Sequence, residues 1–393
     1  MSKKIIFHST LIALVAFATQ SYGYMEGRPV RFGFAFDIHA TDNRDAVDTG
    51  ETSNVDLFLR PYIGYHLDTE ATRLRLRYEP SLRYREDPGD DQNEFDLHHR
   101  LNVEVRQQFT ERARARLSNT FFKFDDPEIE EGGAIVRTDR SYILNTFRFG
   151  FNYDIGRLSN LDLSVRNQIR RYDDSEMALL SDKDEIGVGV AFRHTITPTL
   201  IALFHSAYDR YSFEDDAFLS RDFDSITGSA GLEYVFLPEL IGSVSVGAQM
   251  RSNDESLLET DENLYVEAQL SADTGYNHHM GIIAGYGHRD ADVAPYATQE
   301  YAEIRGFSVA SLTQLLTLRN AATYRRSSYD TVPEFFLPGG NEDIFVFDIE
   351  LSYQVTELMS LMVGDRFEYI SADDDLSGSY TRNTLRAGMR MDF

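Results

Sequence analysis

"TRLRLRYEPSLRYRE", residues 72–86, places Arg73, Arg75, Arg77, Arg83 and Arg85 at alternating positions. Leu74, Leu76, Tyr78, Leu82 and Tyr84 fill the gaps, and Pro80 is the one interruption. A period of two is the signature of a β-strand with a charged face and an apolar face. Wound as a helix, the same arginines would scatter around the axis and leave no apolar stripe. The segment therefore reads as a strand, in a chain whose formal net charge is −26.

The alternation recurs from end to end. It predicts 18 strands: 30–40, 54–67, 72–86, 95–109, 113–124, 140–155, 161–172, 184–196, 200–212, 223–236, 241–252, 263–273, 278–290, 299–310, 315–327, 343–355, 360–371 and 380–393. In "VRFGFAFDIHA" (30–40), for example, Phe32, Phe34, Phe36 and Ile38 oppose Arg31, Gly33, Asp37 and His39. The connections alternate too. One set is tight, including "DTEA", "TERA", "TPT", "LPEL" and "TEL". The other is long and acidic, at 42–53, 87–94, 125–139, 173–183, 213–222, 253–262, 291–298, 328–342 and 372–379.

Short turns at one rim and long loops at the other are the pattern of a bacterial outer-membrane β-barrel with an even strand count and both termini periplasmic. A soluble sandwich or propeller would not separate its loops in this way. Mean hydropathy is −0.37, as expected when apolar-out and polar-in residues alternate. The fold expectation is thus all-β: one transmembrane antiparallel barrel over residues 24–393. Pro61 and Pro80 fall inside neighbouring strands, where a missing N–H breaks a ladder bond, so bulges or displaced strand ends are expected there. With 22 Tyr, 27 Phe and no Trp, the interfacial girdles fall to Tyr and Phe.

Both ends of the chain carry further marks. Lys3 and Lys4, an apolar run from Leu11 to Ala18, and small residues Ser21 and Gly23 predict a secretory signal peptide cleaved after Gly23. The run is shorter than the ~20 residues a membrane helix needs. No cysteine follows, which removes lipid attachment, disulfides and thiolate metal sites. At the other end, "RAGMRMDF" (386–393), with Gly388, Met391 and terminal Phe393, resembles the sorting signal read by the barrel assembly machinery.

A lipid-facing arginine at mid-membrane costs ~2–4 kcal/mol, so the five arginines of the opening stretch are expected to face the lumen. Arg100, Arg106, Arg114, Arg116, Arg140, Arg148, Arg166 and Arg170 extend this basic wall, and residues 60–171 hold 19 of the chain's 38 basic residues. Later strands read as mixed, with Glu233, Glu267, Glu303, Glu350 and Glu368 beside Arg305, Arg366, Arg382 and Arg386. The acidity belongs to loops such as "DDPEIEEGG" (125–133). Two readings stay open: a wall that steers anionic solutes, because low-dielectric walls focus the field, or a network neutralised by Glu79, Glu104 and loop carboxylates.

Enzyme signatures are missing: no G-x-S-x-G, no H-E-x-x-H and no glycine-rich phosphate loop. His98–His99 and His278–His279 do not chelate within a strand, because adjacent side chains point to opposite faces. "DDDLSG" (373–378) lacks the bidentate Glu of a calcium loop, with Thr384 in its place. No cofactor, metal or nucleic-acid partner is expected. Outer-membrane lipid and lipopolysaccharide are, and the loop carboxylates either stand solvated or bridge lipopolysaccharide phosphates through divalent cations.

The hairpins "SITGSAGLEYVFLPELIGSVSVGAQMRS" (225–252) and "DIELSYQVTELMSLMVGDRFEYIS" (348–371) resemble the putative β-barrel porin 2 family. That resemblance implies a porin-like channel passing polysaccharide, with a periplasmic export protein as partner. Composition alone gives only a channel, and a diffusion or uptake porin and a plugged structural or adhesive barrel remain open beside it. A wide lumen would mark the exporter, and an inward-folded loop the diffusion porin.

Overall fold

A computed structural model describes residues 29–393 except 49, 89–92, 125–127, 130–134, 137–140, 174–177, 179–181, 214–221, 254–260, 276, 292–297, 330–338 and 374–378. The signal peptide expected at 1–23, Arg140 and most of the long acidic loops lie outside the described residues.

Eighteen antiparallel strands form one sheet closed on itself. The first six are β1 (Val30–Thr41), β2 (Asn54–Asp68), β3 (Thr72–Arg85), β4 (Phe95–Gln108), β5 (Ala113–Phe124) and β6 (Tyr142–Ile155). The next six are β7 (Ser159–Tyr172), β8 (Lys183–Thr197), β9 (Leu200–Phe213), β10 (Phe223–Leu237), β11 (Leu240–Asn253) and β12 (Asp261–Thr274). The last six are β13 (His278–Asp290), β14 (Thr298–Ser311), β15 (Leu316–Tyr329), β16 (Gly340–Gln354), β17 (Met359–Ala372) and β18 (Tyr380–Asp392). Each strand pairs with the next, and β1 pairs with β18 through nine rungs from Gly33↔Asp392 to Thr41↔Thr384. The loop at 125–139 also holds a two-residue hairpin, Glu128–Ile129 against Ile135–Val136, which no alternation announces.

Four of the tight turns share one piece of chemistry. Thr69, Thr110, Thr313 and Thr356 each accept, through Oγ1, the backbone N–H three residues on, at 2.9, 3.0, 3.0 and 3.1 Å. A hydroxyl that mimics a backbone carbonyl closes a turn at no extra length.

Neither bulges nor displaced ends explain the prolines. The β2–β3 pairing passes from Leu59↔Leu82 to Ile63↔Tyr78 with no shift of register, so Pro61 stands opposite Pro80. Both missing N–H groups fall on one rung, and the ladder is interrupted rather than re-registered. Register shifts do occur elsewhere, at Thr195/Thr197 and Val235/Leu237, beside the "TPT" and "LPEL" turns.

The outer face is apolar and exposed, from Phe32 and Ile63 through Val188 and Ile226 to Val363 and Leu385. The buried core lies inside the barrel, at the end bearing the long loops. Phe58, Tyr142, Leu144, Tyr172, Tyr211 and Phe223 are all buried and all sit on the inward register. Ile344, Ile370 and Tyr380 form one apolar cluster there, with Ala46 of the 42–53 loop packed on it. Tyr142, Leu144 and Tyr172 form another, with Ala178 of the 173–183 loop against it.

Candidate channel lumen

The strand period carries every arginine of the opening stretch to one face. Leu82 and Tyr78, on the other, are among the exposed apolar residues of the outer wall, so Arg73, Arg75, Arg77, Arg83 and Arg85 face inward. Arg100 and Arg106 on β4, and Arg114 and Arg116 on β5, share that face through unbroken registers. On these three strands, nine inward arginines meet only three inward carboxylates, Glu79, Asp96 and Glu104.

Depth divides this wall in two. Near the short turns its cations are open: the side chains of Arg73, Arg106, Arg114 and Arg116 are 45, 46, 54 and 61% exposed. Together they line a recess of about 460 Å³ with Gln107, Asn152 and Asp162. A neighbouring recess of about 630 Å³ holds Arg116, Arg148, Arg166 and Asp209. Towards the long loops the same face is packed. Arg83 binds Asp56 at 2.6 Å, with both side chains buried. Arg85 is 1% exposed and pairs with Asp96. Arg170, Arg325, Glu342 and Glu368 are buried at comparable height on their own strands.

Pairing in the open half leaves cations over. Arg73 pairs with Asp68 at 2.6 Å, and Arg77 with Glu79 while stacking over Tyr62. Glu104 accepts from Arg106 at 2.6 Å and from Arg116 at 3.2 Å. Arg75, directly across the ladder from Glu104, makes no ion pair or hydrogen bond among the described residues, and Arg100 meets only the Phe122 ring, 5.9 Å from its centroid. Arg114 reaches Asn152 at 2.7 Å and Asp154 at 3.7 Å. Arg166 pairs with Glu185 and approaches Asp209 at 3.5 Å.

Around the rest of the circumference several inward charges pair with one another. Glu368 is held by Arg366 at 2.7 Å and by Arg382. Arg319 binds Glu350, Arg305 binds Glu303, each at 2.8 Å, and Arg193 binds Glu233 at 2.6 Å. Adjacent histidines split between faces. His98 stacks on Phe124 inside, at 4.7 Å, while His99 meets the Tyr78 hydroxyl outside, at 2.9 Å. Among the described residues no group of three or more His, Asp or Glu is placed to hold a metal ion.

The C-terminal residues separate in the same way. Met391 and Phe393 face outward. The Phe393 ring stacks on Phe32 at 5.6 Å, and its N–H donates to the Phe32 carbonyl at 2.8 Å. Gly388 faces inward, opposite Asp37. A Cβ there would collide with Asp37 Oδ1, so this glycine lets the barrel seam close over the Asp37 carboxylate, which pairs with Arg60 at 3.2 Å.

The aromatic inward residues near the long loops were not singled out from sequence. The signal was present, since Phe58, Phe122, Phe124, Tyr142, Tyr211, Phe223 and Tyr380 hold the polar register at one end of their strands only.

A closed 18-stranded barrel, apolar outside, charged inside and looped asymmetrically, is a porin-like outer-membrane channel. Comparison with known families agrees: the chain matches "Putative beta-barrel porin 2" over residues 30–393 and belongs to that family. Its fold is similar to that of a BenF-like porin from Pseudomonas fluorescens Pf-5, with 12% identity, a TM-score of 0.50, and 94% of this chain and 100% of that one covered. Pseudomonas aeruginosa OpdK, crystallised with vanillate, gives 11% identity, a TM-score of 0.49 and coverage of 94% and 100%. Acinetobacter baumannii OccAB4 gives 10%, 0.48, and 94% and 99%. None of the curated proteins matches the sequence. Family and fold alike resemble channels that are not enzymes.

Proposed function

We propose that the protein is an anion-selective diffusion channel whose passage is narrow at the extracellular end. The observation that carries this reading is the unbalanced charge of the open half-lumen. Of the nine arginines and three carboxylates on β3–β5, seven arginines and only Glu79 and Glu104 lie in that half, and Arg75 and Arg100 have no carboxylate partner among the described residues. A wall of like charge over a low-dielectric sheet concentrates counter-ions along itself. Small carboxylated or phosphorylated solutes suit guanidinium groups, which bind such oxyanions through paired N–H donors.

The packed extracellular end supports a diffusion or uptake channel over the polysaccharide exporter that the family resemblance implied. Ala46 and Ala178 bring loop segments onto the inward clusters, whereas an exported polymer needs width along its whole path.

Reversal potentials in planar bilayers test the proposal. The purified barrel should prefer anions at low salt, and replacing Arg75, Arg106 and Arg116 together by Ser should move the preference towards cations. An unchanged potential would mean that the arginines are neutralised in place. A barrel that does not conduct would support the plugged, structural reading.

A further inference from the structure

At mid-strand the outer wall is apolar nearly everywhere, and Asp365 breaks the rule. It is seventh of the 14 residues of β17, with unbroken registers on both sides, Ile349↔Asp365 and Asp365↔Leu385. It shares its face with Leu361, Val363 and Tyr369, which are 42, 62 and 43% exposed. The carboxylate therefore stands halfway up the lipid-facing side. Its Oδ1 is buried within the copy without a partner, as is Oδ1 of Asn383 on β18, so the oxygen left open to a neighbour is Asp365 Oδ2, which also makes no hydrogen bond among the described residues. Asn320 on β15 lies on the same rung as Asp365, across Ile349, and makes no hydrogen bond among the described residues.

Hydrocarbon supplies neither donors nor water to such groups, so each one left unmet is costly. At two other places on the outer wall this chain meets the need internally. Asn119 donates to Asn145 at 3.0 Å, and Asn167 donates to the Glu185 carbonyl at 3.2 Å. The patch on β15–β18 is left unsatisfied within one copy.

We infer that the outer face of β15–β18 is an interface with a second copy of this chain. Whatever covers Asp365 must itself cross the bilayer and bring hydrogen-bond donors to mid-depth, which in this membrane is the property of another barrel. The patch holds its own complement, an acceptor carboxylate flanked by the carboxamides of Asn320 and Asn383. A two-fold axis along the membrane normal, the commonest symmetry of protein pairs, brings a patch onto itself. Each copy's amide then donates to Oδ2 of the other's Asp365.

The chain has no cysteine, so single introduced thiols report on contacts directly. Val363→Cys places one beside Asp365. Val188→Cys, on β8 and 47% exposed, places one half the circumference away. Treated with a short bis-maleimide in intact outer membranes, the first should run at twice the monomer mass and the second should stay single. Adding Asp365→Leu or Asn383→Leu to Val363→Cys should lower the dimer yield roughly tenfold, the effect of losing a reciprocal pair of hydrogen bonds in lipid. Heat-modifiable mobility shows that each variant is folded, and Asp365→Leu removes a lipid-facing charge, so it does not hinder folding. A Val363→Cys barrel that stays single, a dimer indifferent to both leucine substitutions, or an adduct of another mass would each overturn the inference.

Discussion

Arg75 stands directly across the β3–β4 ladder from Glu104, yet that carboxylate is already held by Arg106 and Arg116 at 2.6 and 3.2 Å. Three guanidinium groups thus surround one negative charge on the open part of the lumen wall. Glu104→Gln should raise anion preference at low salt and leave folding nearly untouched, since exposed ion pairs contribute ~0–1 kcal/mol. The gain should fade at high salt as the Debye length contracts from ~10 Å at 0.1 M to ~3 Å at 1 M. Reversal potentials across a salt gradient at two ionic strengths measure this. A change that persists undiminished at 1 M would rule out screening-limited selectivity.

The same wall should respond quite differently higher up. Arg83 and Asp56 are buried together at 2.6 Å, and Asn54 donates to the same carboxylate at 2.7 Å. Arg83→Ala strands a buried charge and should cost about 3–5 kcal/mol, whereas Arg73→Ala, at an open pair, should cost ~1 kcal/mol or less. Urea unfolding of barrels reconstituted in vesicles, followed by heat-modifiable mobility, separates the two. Equal losses would mean that the extracellular end of the lumen is as wet as the periplasmic end.

That contrast marks where the sequence is legible and where it is not. Period-two alternation locates all eighteen strands to within three residues, because lipid on one side and lumen on the other enforce a strict binary choice at each position. Arg73 and Arg85 are indistinguishable by that criterion, since both are arginines on the inward register. What separates them is distance along the lumen axis, set by loop segments that carry no period of their own. The Asp365 patch was legible as a broken alternation within "SLMVGDRFEYIS" (360–371), where an acidic residue holds the outward register. It passes unnoticed when strands are recognised by their majority pattern.

Pro61 and Pro80 face each other between rungs that keep their register, so two ladder bonds are missing from one place in the wall. Pro61→Val and Pro80→Val made together should restore both and stabilise the barrel by at least ~1 kcal/mol, each single change giving about half. Midpoints of urea unfolding report the gain. No gain, or a loss, would show that the interrupted rung relieves strain elsewhere in the sheet.

Phe393 closes the seam twice, by its N–H to the Phe32 carbonyl and by its ring on Phe32. Stacking of this kind contributes about 0.5–1.5 kcal/mol, too little to decide whether a barrel of eighteen strands folds. We propose that the outward Met391 and Phe393 are the handle presented to the assembly machinery, so deleting Phe393, or changing it to Asp, should nonetheless reduce outer-membrane levels sharply and raise the envelope stress response. Phe393→Tyr keeps ring and strand alike and should assemble normally. Gly388, inward and pressed on Asp37, should behave differently. Gly388→Ala crowds the seam, so its barrel should reach the membrane but unfold at lower urea. Normal membrane levels after loss of Phe393 would place its role in stability alone.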